Sequence, residues 1–314
     1  MVGLRWPCRS PSRRRGVPAW RSGDRLVGLT LAALFAALAA DAATTGTLAN
    51  EDLGELSGLA VSRADAAVLW GHNDSGAGPA LYRIGLQGED LGRVPVAEAL
   101  SGDWEDLAAF TDRSGPALLI GDVGDNLGLR SFSTLYAVRD PGRARAASVL
   151  WRLDFSFPDG MRDCEAIAVD PLSREILLLT KRDRPARLYR LPLPERAPKT
   201  RQVAQFLGTV APFPEVPLGQ RLRSPVDSQF LHVPTALDIS ADGLTAVIVT
   251  LSNAYVFRRR PEQAWIGLFA QGTAPIPLPP DLQQVEAAAL SADGRTLYLG
   301  SEGRPGRWAR LALP

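Results

Sequence analysis

Residues 284–300 read QVEAAALSADGRTLYLG, and residues 233–250 read VPTALDISADGLTAVIVT. Both place a polar residue before a short apolar run, then an Asp-Gly turn, then a second apolar run. Asp-Gly between two apolar runs is a strong hairpin signal. The same opening phrase occurs three more times, as ELSGLAVS (55–62), DWEDLAAF (103–110) and DCEAIAVD (163–170). The polar residue in the frame is in turn Ser57, Glu105, Glu165, Thr235 and Glu286, at spacings of 48, 60, 70 and 51 residues.

The frame extends downstream in every copy. A second apolar run follows the turn: AVLWG (67–71), ALLIG (117–121), ILLLT (176–180), AVIVT (246–250) and TLYLG (296–300). After a polar loop comes a third: LYRI (81–84), LYAV (135–138), LYRL (188–191), AYVF (254–257) and WARL (308–311). The first four copies offer a fourth strand, at LGRVPV (91–96), SVLWRLDF (148–155), RQVAQFLGTV (201–210) and WIGLFAQG (265–272). The fifth stops at Pro314 without one, whereas ATTGTLAN (43–50) is a lone strand before the first copy.

Four-stranded units repeating every 40–50 residues or so are the mark of a β-propeller. A ring of blades must close or leave two open sheet edges. The reading is therefore all-β: a five-bladed propeller over 43–314, with the N-terminal strand completing the last blade. Residues 211–232, APFPEVPLGQRLRSPVDSQFLH, fit no strand and read as an insertion. A sixth, degenerate blade hidden there, or a β-sandwich, stays open as the alternative.

The first 42 residues are different in kind. They carry seven Arg against two Asp, and then the uncharged run LVGLTLAALFAALAA (26–40). Fifteen apolar residues are short for a membrane span, which needs about 20, but suit a secretory signal. Ala40-Asp41-Ala42 places cleavage after Ala42, an uncleaved anchor being the alternative. The expected mature protein is periplasmic or secreted, a monomer, with no later membrane span. Its charge is mildly negative, which excludes a broad nucleic-acid surface. Two Cys and two His in the whole chain exclude a disulfide scaffold and a zinc site built of several Cys and His.

Equivalent positions of a propeller meet around its axis, so the frame residues should converge at one opening. Three glutamates crowded there repel one another and lose hydration. They become protonated, stay flooded with water, or hold a cation. Ca²⁺ takes six to eight oxygen ligands in flexible geometry, and this ring offers only oxygen. Ser57, Glu105, Glu165, Thr235 and Glu286 are therefore the candidate metal ligands.

The loops after the second strands should open beside them. His72, Asp74 and Asp122 are candidates to position a water. Asn73, Asp125, Asn126, Lys181, Arg182 and Trp104 are candidates to contact a ligand. Lys181 and Arg182 form a cationic pair suited to a small anion. His72 also reads as a hydrogen-bonding structural residue. Cys164, by strand alternation, should point away from the channel.

The frame resembles the soluble calcium-activated nucleotidases, or apyrases, through Glu55-Leu-Ser57, Asp103-Trp-Glu105, Asp163-Cys-Glu165, Val285-Glu286 and ILLLTKR (176–182), with Thr235 in a serine's place. That resemblance implies an axial Ca²⁺ on the five frame residues and phosphate binding by Lys181 and Arg182. A closer likeness, through SGLA (57–60), HNDSG (72–76), DWED (103–106) and GDVGDN (121–126), is to secreted bacterial propeller proteins. The chain also looks distantly like phytase-type propellers, which are Ca²⁺-dependent. Two functions stand: a Ca²⁺-dependent phosphoester or ester hydrolase, or a non-catalytic propeller that binds a small anionic ligand or a partner protein.

Overall fold

The computed structural model describes residues 43–74, 76, 78–214 and 232–314. The expected signal segment (1–42) and most of the expected insertion (215–231) lie outside the described residues.

The chain begins with β1 (Ala43–Thr47) and then runs through antiparallel stacks. The first comprises β2 (Leu56–Val61), β3 (Val68–Asn73), β4 (Ala80–Gly85) and β5 (Asp90–Ala97). The second has β6 (Trp104–Asp112), β7 (Gly115–Asp122), β8 (Ser133–Arg139) and β9 (Ala147–Ser156). The third has β10 (Cys164–Asp170), β11 (Glu175–Thr180), β12 (Arg187–Pro192) and, after the two-residue β13 (Gln202–Val203), β14 (Gln205–Thr209). β15 (Pro234–Ile239), β16 (Thr245–Thr250), β17 (Asn253–Arg258) and β18 (Ile276–Pro277) make the fourth. The last is β19 (Val285–Leu290), β20 (Thr296–Ser301) and β21 (Arg307–Ala312), completed by β1.

This is a β-propeller. The first strands of the stacks contact one another in the order β2, β6, β10, β15, β19 and back to β2. Closure is by β1 on β21, antiparallel, from Ala43 opposite Leu311 to Thr47 opposite Arg307. Short parallel pairings cross between stacks, β5 with β9 and β13 with β9.

Each pair of neighbouring stacks buries its own apolar cluster. Trp70, Leu81, Trp104 and Tyr136 lie between the first two. Phe155, Ile167 and Tyr189 lie between the second and third. Leu56, Tyr82, Ala287 and Tyr298 seal the last against the first. The inner strands are buried on both faces, which accounts for their small, continuous apolar sequences such as AAAL and AIAV. Cys164 is fully buried in such a cluster, away from the channel as alternation requires.

One strand expectation fails. WIGLFAQG (265–272) forms the helix α1 (Trp265–Gln271), not a strand. Trp265 and Phe269, one helical turn apart, stack at 5.6 Å between centroids and bury against Phe257. Gly272, with φ 71°, ends the helix, and the two-residue β18 takes the outer-strand place. Among the described residues no helix is long and apolar enough to cross a membrane.

Candidate metal centre

Every inner strand carries a register shift at the frame residue. The pairing skips Ser57 between Leu56 and Gly58, and Glu105 between Trp104 and Asp106. It likewise skips Glu165, Thr235 and Glu286. A bulge inserts an unpaired residue and re-aims its side chain. The repeated polar residue is thus the bulged residue of each stack.

A second ring stands beside the first. In four of the five stacks the residue after the second strand donates its N–H across the hairpin: Asp74 to Glu55 O, Val123 to Asp103 O, Lys181 to Asp163 O and Glu302 to Gln284 O, at 2.9–3.1 Å. Asp74, Lys181 and Glu302 therefore occupy equivalent positions, which is why three distant stretches meet.

Asp74, Asp103 and Glu105 each bring one carboxylate oxygen within 4.8 Å of the others. Gly124 leaves the room for them, since a Cβ there would collide with both Glu105 and Asp103. Lys181 Nζ lies 2.9 Å from Glu165 Oε2 and 3.8 Å from Glu286 Oε2.

The electrostatics follow from this crowding. Burial, then the neighbouring Glu165, hold Glu105 well above the usual carboxyl range. Burial and Asp74 push Asp103 up to about 6. Burial raises Glu165 to about 7 despite the opposing Lys181. Burial and Glu286 raise Glu302 to about 7. Burial alone would lower the Lys181 ammonium, but Glu165 and Glu286 more than reverse that.

A cation fits here on two observations. The donor set is entirely oxygen, and among the described residues no N–H or hydroxyl group reaches the buried Glu165 Oε1, whose carboxyl lies against that of Glu105. Oxygen-only donors suit Ca²⁺ rather than zinc or copper.

The structure divides the expected residues. Glu105, Glu165 and Glu286 do converge, joined by Asp74, but Glu165 and Glu286 share Lys181. The Ser57 hydroxyl donates to Glu105 O at 2.6 Å and that of Thr235 to Val285 O at 2.9 Å, so both stitch neighbouring inner strands together. Lys181 and Arg182 do not form an open anion seat. Arg182 binds Asp163 and Asn126 side chains, so its charge is already matched. Asp122 pairs with Arg130 at 2.8 Å and accepts the Asp103 N–H at 3.0 Å. Asp125 accepts from Leu129 and Arg130 N–H, and Asn73 ties Glu55 N–H to Asp52 O. Trp104 donates to Leu100 O at 2.8 Å from a buried ring.

His72 does not face the opening. It is fully buried against Gly58 and the Trp104 ring, and burial lowers its pKa to about 4. There it is neutral packing, which corrects the water-positioning expectation.

Asp103 and Glu302 are not among the candidate ligands read from the sequence, although the repeat places both at the same opening. Nor is Asp106. That fully buried carboxylate accepts N–H from Leu107 and Ile167 at 2.8 Å and Leu237 at 3.3 Å, linking β6, β10 and β15. Asp238 does the same for Ile239 and Leu290, both at 2.7 Å. These two carboxylates satisfy inward-facing N–H groups that have no strand partner.

No family model and no curated protein matches this chain. Solved structures of similar fold include the nidogen/laminin complex, at TM-score 0.40 and 15% identity over 78% of this chain and 72% of that one. A gluconolactonase, XC5397 from Xanthomonas campestris, aligns at TM-score 0.42 and 12% identity over 82% and 72%. Luciferin-regenerating enzyme aligns at TM-score 0.42 and 12% identity over 82% and 78%.

Proposed function

We propose that the chain is an extracytoplasmic five-bladed propeller that binds Ca²⁺ at its acidic opening and hydrolyses a small phosphoester or carboxyl ester there. Residues 1–42 are its signal peptide and 43–314 its mature domain. The observation that carries the reading is the packing of Asp74, Asp103 and Glu105 oxygens within 4.8 Å, beside a buried Glu165 oxygen that meets no N–H or hydroxyl group among the described residues. Desolvated carboxylates at such spacing favour a divalent cation over mutual repulsion.

Asp74, Asp103 and Glu105 would hold the ion, with the Glu165 carboxyl beside that of Glu105. When bound, Ca²⁺ supplies Lewis-acid polarisation of a phosphoryl or carbonyl oxygen and orients a water. Lys181, held between Glu165 and Glu286, offsets their charge beside the ion. Glu302, at about 7 in the metal-free site, is placed to take or give a proton near neutral pH.

A non-catalytic partner-binding reading draws on a different observation. Leu127 and Leu129 are 81% and 73% exposed on the β7–β8 loop, whose Asn126 meets Arg182 at this opening. An exposed apolar loop suits a protein surface.

Thermal melts with added Ca²⁺ and with a chelator test the metal. A ligand at a hundred times its Kd stabilises by about 2.7 kcal/mol, so a rise of several degrees is expected, lost in Glu105→Gln. A panel of phosphoesters and carboxyl esters then tests catalysis. Turnover lost in Glu165→Gln, with the fold kept, supports the hydrolase; no turnover on any ester favours the partner-binding reading.

A further inference from the structure

The other end of the inner strands opens on a separate cavity of about 330 Å³. Its wall includes Arg63, Thr111, Pro171 and Ala241, each six residues beyond the frame residue of its stack. Asp106 and Asp238 lie buried between the two openings, their carboxylates engaged with the inner strands. This cavity therefore has its own chemistry, independent of the acidic cluster.

Three arginines line it: Arg63, Arg113 and Arg174. Arg63 donates to Ala109 O at 3.3 Å and faces Asp238 and Asp242. Arg113 pairs with Glu195 at 2.7 Å, both side chains exposed. Among the described residues the Arg174 guanidinium has no hydrogen-bond or ion-pair partner. Asp112 also lines the cavity. Its Oδ2 accepts from Ser114, whereas Oδ1 is buried with no partner among the described residues.

The backbone at Arg174 is the second pointer. Arg174 has φ 53°, a left-handed conformation that disfavours a side chain. The β6–β7, β15–β16 and β19–β20 turns give that conformation to Gly115, Gly243 and Gly294. In β10–β11 an arginine takes it, and its side chain reaches the cavity. Local strain kept at a cleft is a mark of a functional position.

We propose that this cavity binds a small oxyanion, a phosphate ester or a carboxylate. Arg63 and Arg174 hold the anion through paired guanidinium N–H groups, with Arg113 at the rim. The cavity volume suits a ligand of a few carbon atoms.

Isothermal titration of the full chain with glycerol phosphate and with malate, in calcium-free buffer, tests this. At least one of the two should bind, and which one assigns the anion class. Arg63→Gln and Arg174→Gly should each weaken that Kd at least tenfold. Arg174→Gly relieves the left-handed strain, so its melting temperature should equal or exceed that of the parent, and lost binding cannot be blamed on misfolding. Failure of both probes to bind, or a Kd unchanged in both variants, overturns the proposal.

Discussion

Glu105 and Asp106 are adjacent in sequence and do opposite work. The first is bulged toward the opening; the second is locked among backbone N–H groups. Asp106→Ala would leave three buried N–H groups unpaired. At about 1–3 kcal/mol for each unsatisfied group, a loss of at least 3 kcal/mol is expected in denaturant titration. The metal-free cluster also sets a pH dependence. Asp103 at about 6, and Glu165 and Glu302 at about 7, bind protons in the folded chain more tightly than in the unfolded one. Their contribution to stability is complete below the unfolded carboxyl pKa and is lost as pH rises through about 6 to 7. Melting temperatures in chelator should thus be flat below about pH 4, fall as the pH rises from there to about 7, and level off above. Saturating Ca²⁺ should remove the decline, because the ion replaces the protons. Of this site, the frame glutamates were legible because they recur. Asp106 was not, because alternation counts in twos and a bulge breaks the count. The neutralising of Lys181 and Arg182 was not legible either, since it depends on which loop each cation meets in space.

At the scale of elements, α1 shows where pattern reading reaches its limit. WIGLFAQG is seven helical residues and a glycine, too short for helical and strand periods to be told apart. Tertiary packing decides it: Trp265 and Phe269 fill a pocket against Phe257, with the Arg259 guanidinium 4.3 Å above the Trp265 ring. Arg259 also binds Asp170 at 2.6 Å, which ties α1 to the neighbouring stack. Phe269→Ala should cost about 3–5 kcal/mol, measured as a lowered melting midpoint with little change in far-ultraviolet strand signal. The hairpins, by contrast, were readable from the sequence because Asp-Gly turns and apolar runs give two agreeing local signals. The fourth strands were readable only in part, for they are the outermost and the least apolar.

For the whole molecule, closure was legible from simple accounting: one stack lacked a strand and one strand lacked a stack. The structure pairs them, β1 on β21. Deleting residues 43–47 should strip β21 of its outer partner and leave β21 as an edge able to pair with another chain. Size-exclusion chromatography should then show association, together with a broadened melt. What was not legible is the division of the axis into an acidic opening, a middle that holds two buried aspartates, and an arginine-lined opening. It arises from five inner strands facing each other at once, and no single repeat contains it.

The closing pair has a mechanical consequence. Ala43 lies opposite Leu311 and Thr47 opposite Arg307, so both chain ends leave the pair from the same side. A pull on the two termini therefore loads the first rung alone and then each next rung in turn, as a zipper opens. The same ladder sheared lengthwise would share the load across all rungs. A ring that melts as one body in heat would accordingly open at its seam under modest tension, with the remaining stacks still folded.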